Sequence, residues 1–161
     1  MDAARSAEPS DLPVIVDLAR QAIEELSQLR GGQVWRQREA RREPVEADLA
    51  QAVAESDGPG GAAVVGTIYA AVVGYGISRT EHLADGSLLS VVTDLYVHPD
   101  ARGVGVGEVM MDRLAEHATA HGAVGIDSLA LPGDRATKNF FETFGLKARA
   151  IVVHRPLGEP S

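Results

Sequence analysis

The chain has 161 residues, 45% of them hydrophobic, and its 15 basic and 23 acidic side chains give a net charge of -8. This length and composition predict one folded domain with a sizeable core and exclude a largely disordered chain. The acidic balance argues against a nucleic-acid-binding protein, which needs a basic surface, and it suits a cationic partner such as an amine. Because cysteine is absent, disulfides, thiolate metal sites and a cysteine nucleophile are excluded.

Two stretches bear on localisation. Residues 1–9 lack the apolar run of a secretory signal. The most apolar window, residues 62–77, is interrupted by three glycines and is shorter than the roughly 20 apolar residues that span a membrane. We therefore expect a cytoplasmic protein that does not act at a membrane.

The first half of the chain predicts a weak strand, two helices and a β-hairpin. Ser10 and Asp11 offer N-cap side chains to an amphipathic helix that has Pro13 in its first turn and stops at Gly31. A second helix begins at Pro44. The other predicted elements are a strand within residues 3–8 and a hairpin of residues 62–68 and 72–79.

The second half alternates strands and helices. The predicted elements are a strand at residues 88–97, a helix at 107–121, a strand at 126–131, a helix from the capping residue Asp134 to Gly145, and a last strand at 147–155. Together with the hairpin, this order predicts an α/β or α+β fold with one mixed sheet and no internal repeat.

A glycine-rich turn, Arg102-Gly103-Val104-Gly105-Val106-Gly107, joins the first of these strands to its helix. Backbone N–H groups and the positive end of the helix dipole make such a turn a phosphate site. It is not a P-loop, because no lysine follows Gly107 before Lys138. It is not the dinucleotide fingerprint G-x-G-x-x-G either, because the third glycine position holds Glu108 or Met110.

The turn resembles the R/Q-x-x-G-x-G/A signature of the GNAT superfamily of N-acetyltransferases. Its flanks also agree, because a strand ending in Leu-Tyr-Val precedes it and a later helix ends in Phe-Gly-Leu. Specific motifs cover residues 88–157, whereas residues 1–87 match only in element order. The resemblance implies a GNAT-like fold, with a central mixed, mostly antiparallel sheet of 6–7 strands and about four helices. The single domain, residues 1–161, would have an acceptor side at about 1–87 and an acetyl-CoA side at about 88–157.

Coenzyme A binding follows from the same resemblance. The strand at 88–97 would carry a bulge and splay from the strand at 126–131, so that the pantetheine arm lies in the gap. Leu95, Tyr96 and Val97 would then pair with the pantetheine amides. The residues implied in binding the cofactor are Leu95, Tyr96, Val97, Arg102, Gly103, Val104, Gly105, Val106 and Gly107, together with Asp134, Asn139 and Phe141 of the later helix.

The implied reaction is direct attack of a primary amine on the thioester of acetyl-CoA, with oxyanion stabilisation by a backbone N–H near Leu95 or Tyr96. Asp94 is the candidate general base, although an ordinary aspartate is a weak base unless burial strengthens it. The alternative for Asp94 is a structural bond to a loop amide. His98 is a second candidate base, and Tyr96 is a candidate acid.

One departure weakens the catalytic interpretation. Phe141 stands where the family often has a tyrosine that protonates the thiolate, and it has no proton to give. A thiol is nevertheless a tolerable leaving group. The alternative functions are therefore a non-catalytic acyl-CoA-binding regulatory module and another phosphate-ligand protein that reuses the turn.

The acceptor is a small-molecule or peptide amine that the sequence does not identify. The resemblance places its site at the first two helices and the loop between them, where Trp35 could wall a pocket and Arg36 or Arg38 could bind an acceptor carboxylate. The alternative is that Trp35 closes the core under a solvated basic loop. No metal is expected, since His117 and His121 lack an acidic partner at motif spacing. A homodimer is compatible with the sequence.

Overall fold

The structure is a computed structural model that describes residues 1–158, and in it a five-stranded sheet is flanked by five α-helices. In chain order the elements are β1 (Asp2–Ser6), α1 (Leu12–Ser27), α2 (Gly32–Arg38), α3 (Val45–Ala54), β2 (Gly61–Ile68), β3 (Ala71–His82), β4 (Leu88–Val97), α4 (Val106–Ala120), β5 (Ala123–Ser128) and α5 (Arg135–Thr143).

The strands lie in the sheet in their chain order, β1 to β5. The first four pair antiparallel, and β5 pairs parallel to β4 after the crossover through α4. This arrangement confirms the α+β class with a mixed, mostly antiparallel sheet. The hairpin between β2 and β3 turns at Tyr69 and Ala70, both with positive φ, as a two-residue turn that follows the strand twist.

Each face of the sheet carries its own core. Helices α1 and α3 cover one face, where Ile15, Leu49 and Val65 are buried. Helix α4 covers the other face, where Met110 and Leu114 are buried. Strand β2 therefore contributes alternate residues to both cores, as expected for a strand that is covered on both sides.

Three glycines let α4 lie close to the sheet. A β-carbon on Gly66 would overlap Val106, one on Gly74 would lie 3.0 Å from Met110, and one on Gly76 would lie 3.3 Å from Leu114. Because these positions have no side chain, the helix and the turn that precedes it are held against β2 and β3. Within the described residues, no helix has the length and apolar character to cross a membrane.

The predicted last strand is wrong, so the sheet has five strands where 6–7 were expected. Residues 147–158 form no strand, and Ile151, Val152 and Val153 are 86%, 80% and 88% exposed. These three apolar residues are consecutive, so they point to both sides of the chain and do not build one buried face. The extra helix relative to the expected four is α2, and β5 begins three residues before the predicted strand.

Candidate active site

A β-bulge in β4 sets the geometry of the site. Asp94 lies opposite Ile77 of β3 and Val92 lies opposite Ser78, so Thr93 is the extra residue. Strand β5 pairs with β4 only from Leu88 to Val92. Beyond the bulge, β4 therefore presents an edge that β5 does not pair, and the sequence prediction of splayed strands places its gap beside this edge.

The N–H groups on this edge can be assigned from the ladder. The His98 N–H donates to the Val73 oxygen of β3 at 2.8 Å. Successive N–H groups of a strand point to opposite sides, so the Tyr96 N–H faces β3. The N–H groups of Leu95 and Val97 face the gap beside β5. Of the two predicted oxyanion donors, Leu95 and Tyr96, only the N–H of Leu95 points into the gap.

The glycine turn follows the end of this edge. Gly103 and Gly105 have φ values of +83° and +96°, and Gly105 is the N-cap residue of α4. Within the described residues, the N–H groups from Gly103 to Glu108 have no hydrogen-bond acceptor. A β-carbon on Gly107 would lie 3.4 Å from the Phe140 ring of α5. The turn thus offers several free N–H donors beside a narrow space between α4 and α5.

The Arg102 side chain folds back from this turn. Its Nε donates to the Val97 oxygen at 2.9 Å, and its Nη1 and Nη2 donate to Glu25 of α1 at 3.2 and 2.9 Å. The hydrogen bonds to Glu25 raise the pKa of Arg102. Arg102 therefore fixes the end of β4 to α1, and the turn itself presents backbone donors.

Asp94 lies at the centre of a polar network next to the bulge. The guanidinium of Arg41, from the loop between α2 and α3, donates to Asp94 Oδ1 at 2.6 and 3.0 Å. The Thr93 hydroxyl donates to Oδ1 at 2.7 Å, and the Tyr75 hydroxyl donates to Oδ2 at 2.9 Å. The side chains of Asp94 and Arg41 are only 9% and 16% exposed. The carboxylate is thus held in place by three neighbours at once.

Burial and charge determine the ionisation of two members of this network. Burial raises the pKa of Tyr75 well above its ordinary value, and the negative charge of Asp94 adds to the effect. Burial lowers the pKa of Arg41, but the attraction and hydrogen bonds of Asp94 outweigh it and leave that pKa raised. Tyr75 is therefore a neutral donor and Arg41 is a cation at neutral pH.

Tyr96 shares a face with Asp94, because the bulge lies before both residues. It is buried in the core cluster of α1 and α3, and the Arg102 guanidinium lies 5.1 Å from its ring centroid. Burial and the charge of Glu25 raise the pKa of Tyr96. Its hydroxyl therefore keeps its proton at neutral pH, as a general acid must.

Helix α5 carries the other predicted cofactor residues. The predicted cap is confirmed, because the Asp134 carboxylate accepts hydrogen bonds from the Thr137 N–H at 3.2 Å and the Thr137 hydroxyl at 2.6 Å. Asn139 is exposed, whereas Phe141 is buried against α4 and is 6% exposed. The aromatic ring that faces the glycine turn is Phe140, which the sequence interpretation did not single out.

Two clefts meet at Arg41. The first, of about 260 Å³, lies beside the bulge and is named the bulge cleft; its polar lining includes Arg41, Asp48, Gln51, Glu55, Ser78 and Thr93. The second, of about 400 Å³, is named the arginine cleft and is lined by Ile23, Arg36, Arg38, Arg41, Arg42 and Glu43. The predicted acceptor residue Arg36 is exposed in the arginine cleft, and Trp35 lies half-buried on α2.

The histidines are placed away from this network. His98 accepts a hydrogen bond from the Asp100 N–H at 3.1 Å in a short turn after β4. The His117 Nε2 lies 2.8 Å from the Gly58 oxygen, and the His117 ring stacks on that of His121. Among the described residues, no group of three or more His, Asp or Glu side chains could hold a metal ion.

Sequence reasoning missed three members of the site: Tyr75, Thr93 and Arg41 as a partner of Asp94. Tyr75 and Arg41 are 19 and 53 residues from Asp94 along the chain. Their contacts depend on strand register and on the loop between α2 and α3, which no local pattern specifies. The only available signal was the cluster of arginines around Trp35.

One family model matches the sequence, and several solved structures share its fold. The sequence model described as "Acetyltransferase (GNAT) domain" matches residues 50–147, more than half of the chain. No curated protein matches the sequence. Among solved structures, the chain is similar to a tetramutant of the BH1408 protein from Bacillus halodurans, with 19% identity, coverage of 96% of this chain and 99% of that chain, and a TM-score of 0.78.

Two further structures carry the names of acetyltransferases or their ligands. AAC(6')-Iy in complex with the bisubstrate analogue CoA-S-monomethyl-acetylneamine has 14% identity, coverage of 98% and 99%, and a TM-score of 0.74. Glucosamine-6-phosphate N-acetyltransferase from Arabidopsis thaliana has 15% identity, coverage of 98% and 99%, and a TM-score of 0.69. At these identities the structural similarity establishes the fold, and the family model establishes membership: the chain belongs to the GNAT acetyltransferase family.

Proposed function

We propose that this protein transfers an acetyl group from acetyl-CoA to a primary amine by direct attack of the amine on the thioester. The observation that carries the proposal is the unpaired edge of β4. Within residues 1–158, its N–H groups at Leu95 and Val97 have no hydrogen-bond acceptor, and they lie between the donors of the glycine turn and a buried carboxylate, Asp94. Cofactor, amine and base can therefore meet at one edge of the sheet.

The residues present fit coenzyme A. The N–H groups from Gly103 to Glu108 would hold the pyrophosphate, since they have no other acceptor in the described part of the chain. The N–H groups of Leu95 and Val97 would pair with the amides of the pantetheine arm as an added strand would. Asn139 is an exposed residue of α5, and Phe140 of the same helix borders the turn. When bound, acetyl-CoA supplies the thioester carbonyl that the amine attacks.

Asp94 is the proposed proton acceptor, and one of its present hydrogen bonds must be released before it can accept a proton. Each oxygen already receives at least two hydrogen bonds at 3.2 Å or less. Arg41 also lines the bulge cleft, so an incoming ammonium group can replace one of its contacts with the carboxylate. Asp94 then takes one proton from the ammonium, directly or through one water, and the neutral amine attacks the thioester. Tyr96 is the proposed donor to the leaving thiolate, and the second proton of the attacking amine returns to Tyr96 as the amide forms.

The proposed acceptor enters through the clefts at Arg41. Asp48 and Glu55 give the bulge cleft carboxylates that suit a cationic amine. The arginine cleft offers Arg36 to a carboxylate or phosphate on the same acceptor. Trp35 remains the proposed wall of this side of the site.

A second candidate function is a non-catalytic acyl-CoA-binding module. Two observations favour it: Arg41 fully engages Asp94, and Phe141 is buried and has no acidic proton. This candidate shares the binding site with the first and differs only in turnover. Binding and turnover must therefore be measured separately.

Binding is tested by calorimetric titration with acetyl-CoA, using NAD and ATP as controls. Two substitutions with equal backbone strain serve as a matched pair: Gly103→Ala and Gly122→Ala, at φ values of +83° and +76°, neither with an atom within 4 Å of the new β-carbon. Gly103→Ala, in the turn, should weaken acetyl-CoA binding about tenfold or more, because the strained backbone moves its N–H donors. Gly122→Ala, at the other end of α4, should leave binding unchanged. Equal losses in both variants would refute the assignment of the turn.

Turnover is tested by release of the coenzyme A thiol in the presence of a panel of primary amines. Because the chain contains no cysteine, a thiol-specific reagent reports only the product. Amine-dependent thiol release would support the acetyltransferase. Tight, turn-dependent binding of acetyl-CoA without thiol release for any amine would support the binding module.

A further inference from the structure

The arginine cleft has the opposite charge to the molecule as a whole, which carries a net charge of -8. The charged residues that line this cleft are Arg36, Arg38, Arg41, Arg42 and Glu43. The Glu43 carboxylate accepts a hydrogen bond at 3.3 Å from Arg20, which is not part of the lining. The cleft is therefore a positive region on an acidic protein, and such a region attracts anions.

Two of these arginines are available to a ligand. In the described part of the chain, neither Arg36 nor Arg42 forms an ion pair, and both side chains are on exposed residues. A guanidinium group presents its N–H donors in a plane that matches a carboxylate or a phosphate. Arg36 and Arg42 can therefore bind an anion without breaking an existing ion pair.

Arg41 connects this anion site to the candidate base. It lines both the arginine cleft and the bulge cleft. Its Nη2 donates to Asp94 Oδ1 at 2.6 Å, whereas its Nη1 lies 3.5 Å from Asp48. The guanidinium that occupies Asp94 is thus the same group that an anion in the arginine cleft would contact.

Charge balance determines which amines can reach Asp94. An ammonium group that replaces Arg41 at Asp94 leaves a guanidinium of only 16% exposure with Asp48 as its remaining carboxylate. A buried charge that loses its partner is strongly unfavourable. An amine that also carries an anion supplies a new partner, because its ammonium group pairs with Asp94 and its anion pairs with Arg41. Two ion pairs then replace one.

We propose that the acceptor is an amine that carries a carboxylate or phosphate group, and that this anion draws Arg41 from Asp94 into the arginine cleft. The released Asp94 then takes a proton from the ammonium group, as in the proposed function, on which this inference rests. Arg41 is thus a positioning residue that makes release of the base depend on the anion. An amine without an anion meets a base that Arg41 still occupies.

Matched amines give the first test. Thiol release is measured for amino acids with a terminal amine and for amino alcohols of the same chain length, with O-phosphoethanolamine and ethanolamine as the phosphate pair. We expect kcat/KM to be about tenfold or more higher for the anionic member of at least one pair, and the pair with the largest ratio identifies the anion. Equal values in every pair would overturn this inference while supporting the proposed function. Thiol release from no amine at all would contradict the proposed function, and this inference would fail with it.

Substitutions test whether the preference originates at Arg41. Arg41→Met should bring the ratio between paired amines close to one, and Arg36→Gln should lower it. The control is Arg113→Gln, on α4 at the opposite face of the sheet, which should leave the ratio unchanged. If Arg41 is merely structural, its loss lowers kcat/KM equally for both amines and keeps the ratio, which would overturn the inference. Circular dichroism verifies folding, and if Arg41→Met does not fold, the ratio in Arg36→Gln decides.

A separate phosphate ion distinguishes release of the base from simple binding of the anion. Inorganic phosphate is added to the reaction of ethanolamine at saturating acetyl-CoA and constant ionic strength. If an anion draws Arg41 from Asp94, phosphate should raise kcat/KM for ethanolamine about twofold or more, and Arg41→Met should not show the increase. Phosphate that lowers kcat/KM or leaves it unchanged would overturn the release of Asp94 by an anion.

Discussion

Two arginine–aspartate pairs in this protein have the same chemistry and different surroundings. Arg5 donates to Asp11 at 2.7 and 2.9 Å, and Arg41 donates to Asp94 at 2.6 and 3.0 Å. The two carboxylate side chains are almost equally buried, at 8% and 9% exposed. Ion-pair geometry and burial alone therefore do not distinguish an ion pair that only stabilises the fold from one that belongs to the candidate active site.

The other hydrogen-bond partners of the two carboxylates do distinguish the two pairs. Asp11 accepts its further hydrogen bond from the Glu8 backbone N–H at 2.8 Å, and it joins residues that are only 6 apart in sequence. Asp94 accepts from two hydroxyl groups, joins residues 53 apart, and lies beside a bulge and a cleft. A carboxylate that accepts hydrogen bonds from hydroxyl groups beside a cleft can exchange one of them for a hydrogen bond to a ligand. A carboxylate that is bound by a backbone N–H can only lose that hydrogen bond.

The sharpest test of this contrast is the isosteric substitution Asp94→Asn. It should lower kcat/KM for the best amine about 100-fold or more, because an amide cannot accept the proton. Asp11→Asn should leave kcat/KM unchanged at a temperature at which it is folded. Thiol-release kinetics on both variants measure the difference. Equal activities in Asp94→Asn and the unmodified chain would remove Asp94 from the mechanism.

For the free energy of unfolding, the order of the two variants should be reversed. Asp11→Asn should lower the free energy of unfolding by about 2 kcal/mol, because it removes the charge that binds Arg5. Asp94→Asn should cost less, because Arg41 keeps a second carboxylate, Asp48, at 3.5 Å. Urea titrations of both variants give the two values. A larger loss in Asp94→Asn would show that its network is mainly structural.

The loss of stability at acid pH should also depend on Asp11. The hydrogen bond from Arg5 lowers the pKa of Asp11 below its ordinary value. A lowered folded-state pKa contributes stability that is present above the unfolded-state pKa, about 3.9, and is lost as the pH falls through the folded-state value. The free-energy difference between the unmodified chain and Asp11→Asn should therefore be full at pH 6 and shrink below about pH 4. A difference that stays constant to about pH 2 would contradict this account.

The elements around the turn could be predicted because their signals are local. Strand β4, the glycine turn and the start of α4 follow from a β-branched run, three glycines and helical spacing within twenty residues. The cap at Asp134 was predictable for the same reason. Asp11 also has capping character, yet its carboxylate turns to Arg5 and makes no side-chain cap on α1. The carboxylate is occupied instead by two nearby donors, the Arg5 guanidinium and the Glu8 backbone N–H.

The Asp94 network and the end of the sheet depend on distant contacts. The position of the bulge follows from the pairing of β3 with β4, and Tyr75 reaches Asp94 only in that register. Likewise, the alternation in residues 147–155 indicates a strand, but a strand also needs a partner edge, which the sequence does not specify. The fold class was therefore predictable, whereas the groups that hold the candidate base were not.

The smallest expected effect is that of Tyr75→Phe, which removes one hydroxyl from Asp94 and leaves Arg41 in place. The loss should be about 1 kcal/mol in stability. It should be less than tenfold in kcat/KM, because Asp94 remains oriented by its ion pair. Since burial raises the pKa of Tyr75 well above its ordinary value, the phenol stays protonated throughout the neutral range. The pH profile of the variant should therefore keep its shape between about pH 6 and 9 while its height falls. A shift of either limb of the pH profile along the pH axis would mean that Tyr75 itself exchanges a proton during turnover. Tyr75 would then join Asp94 in the reaction.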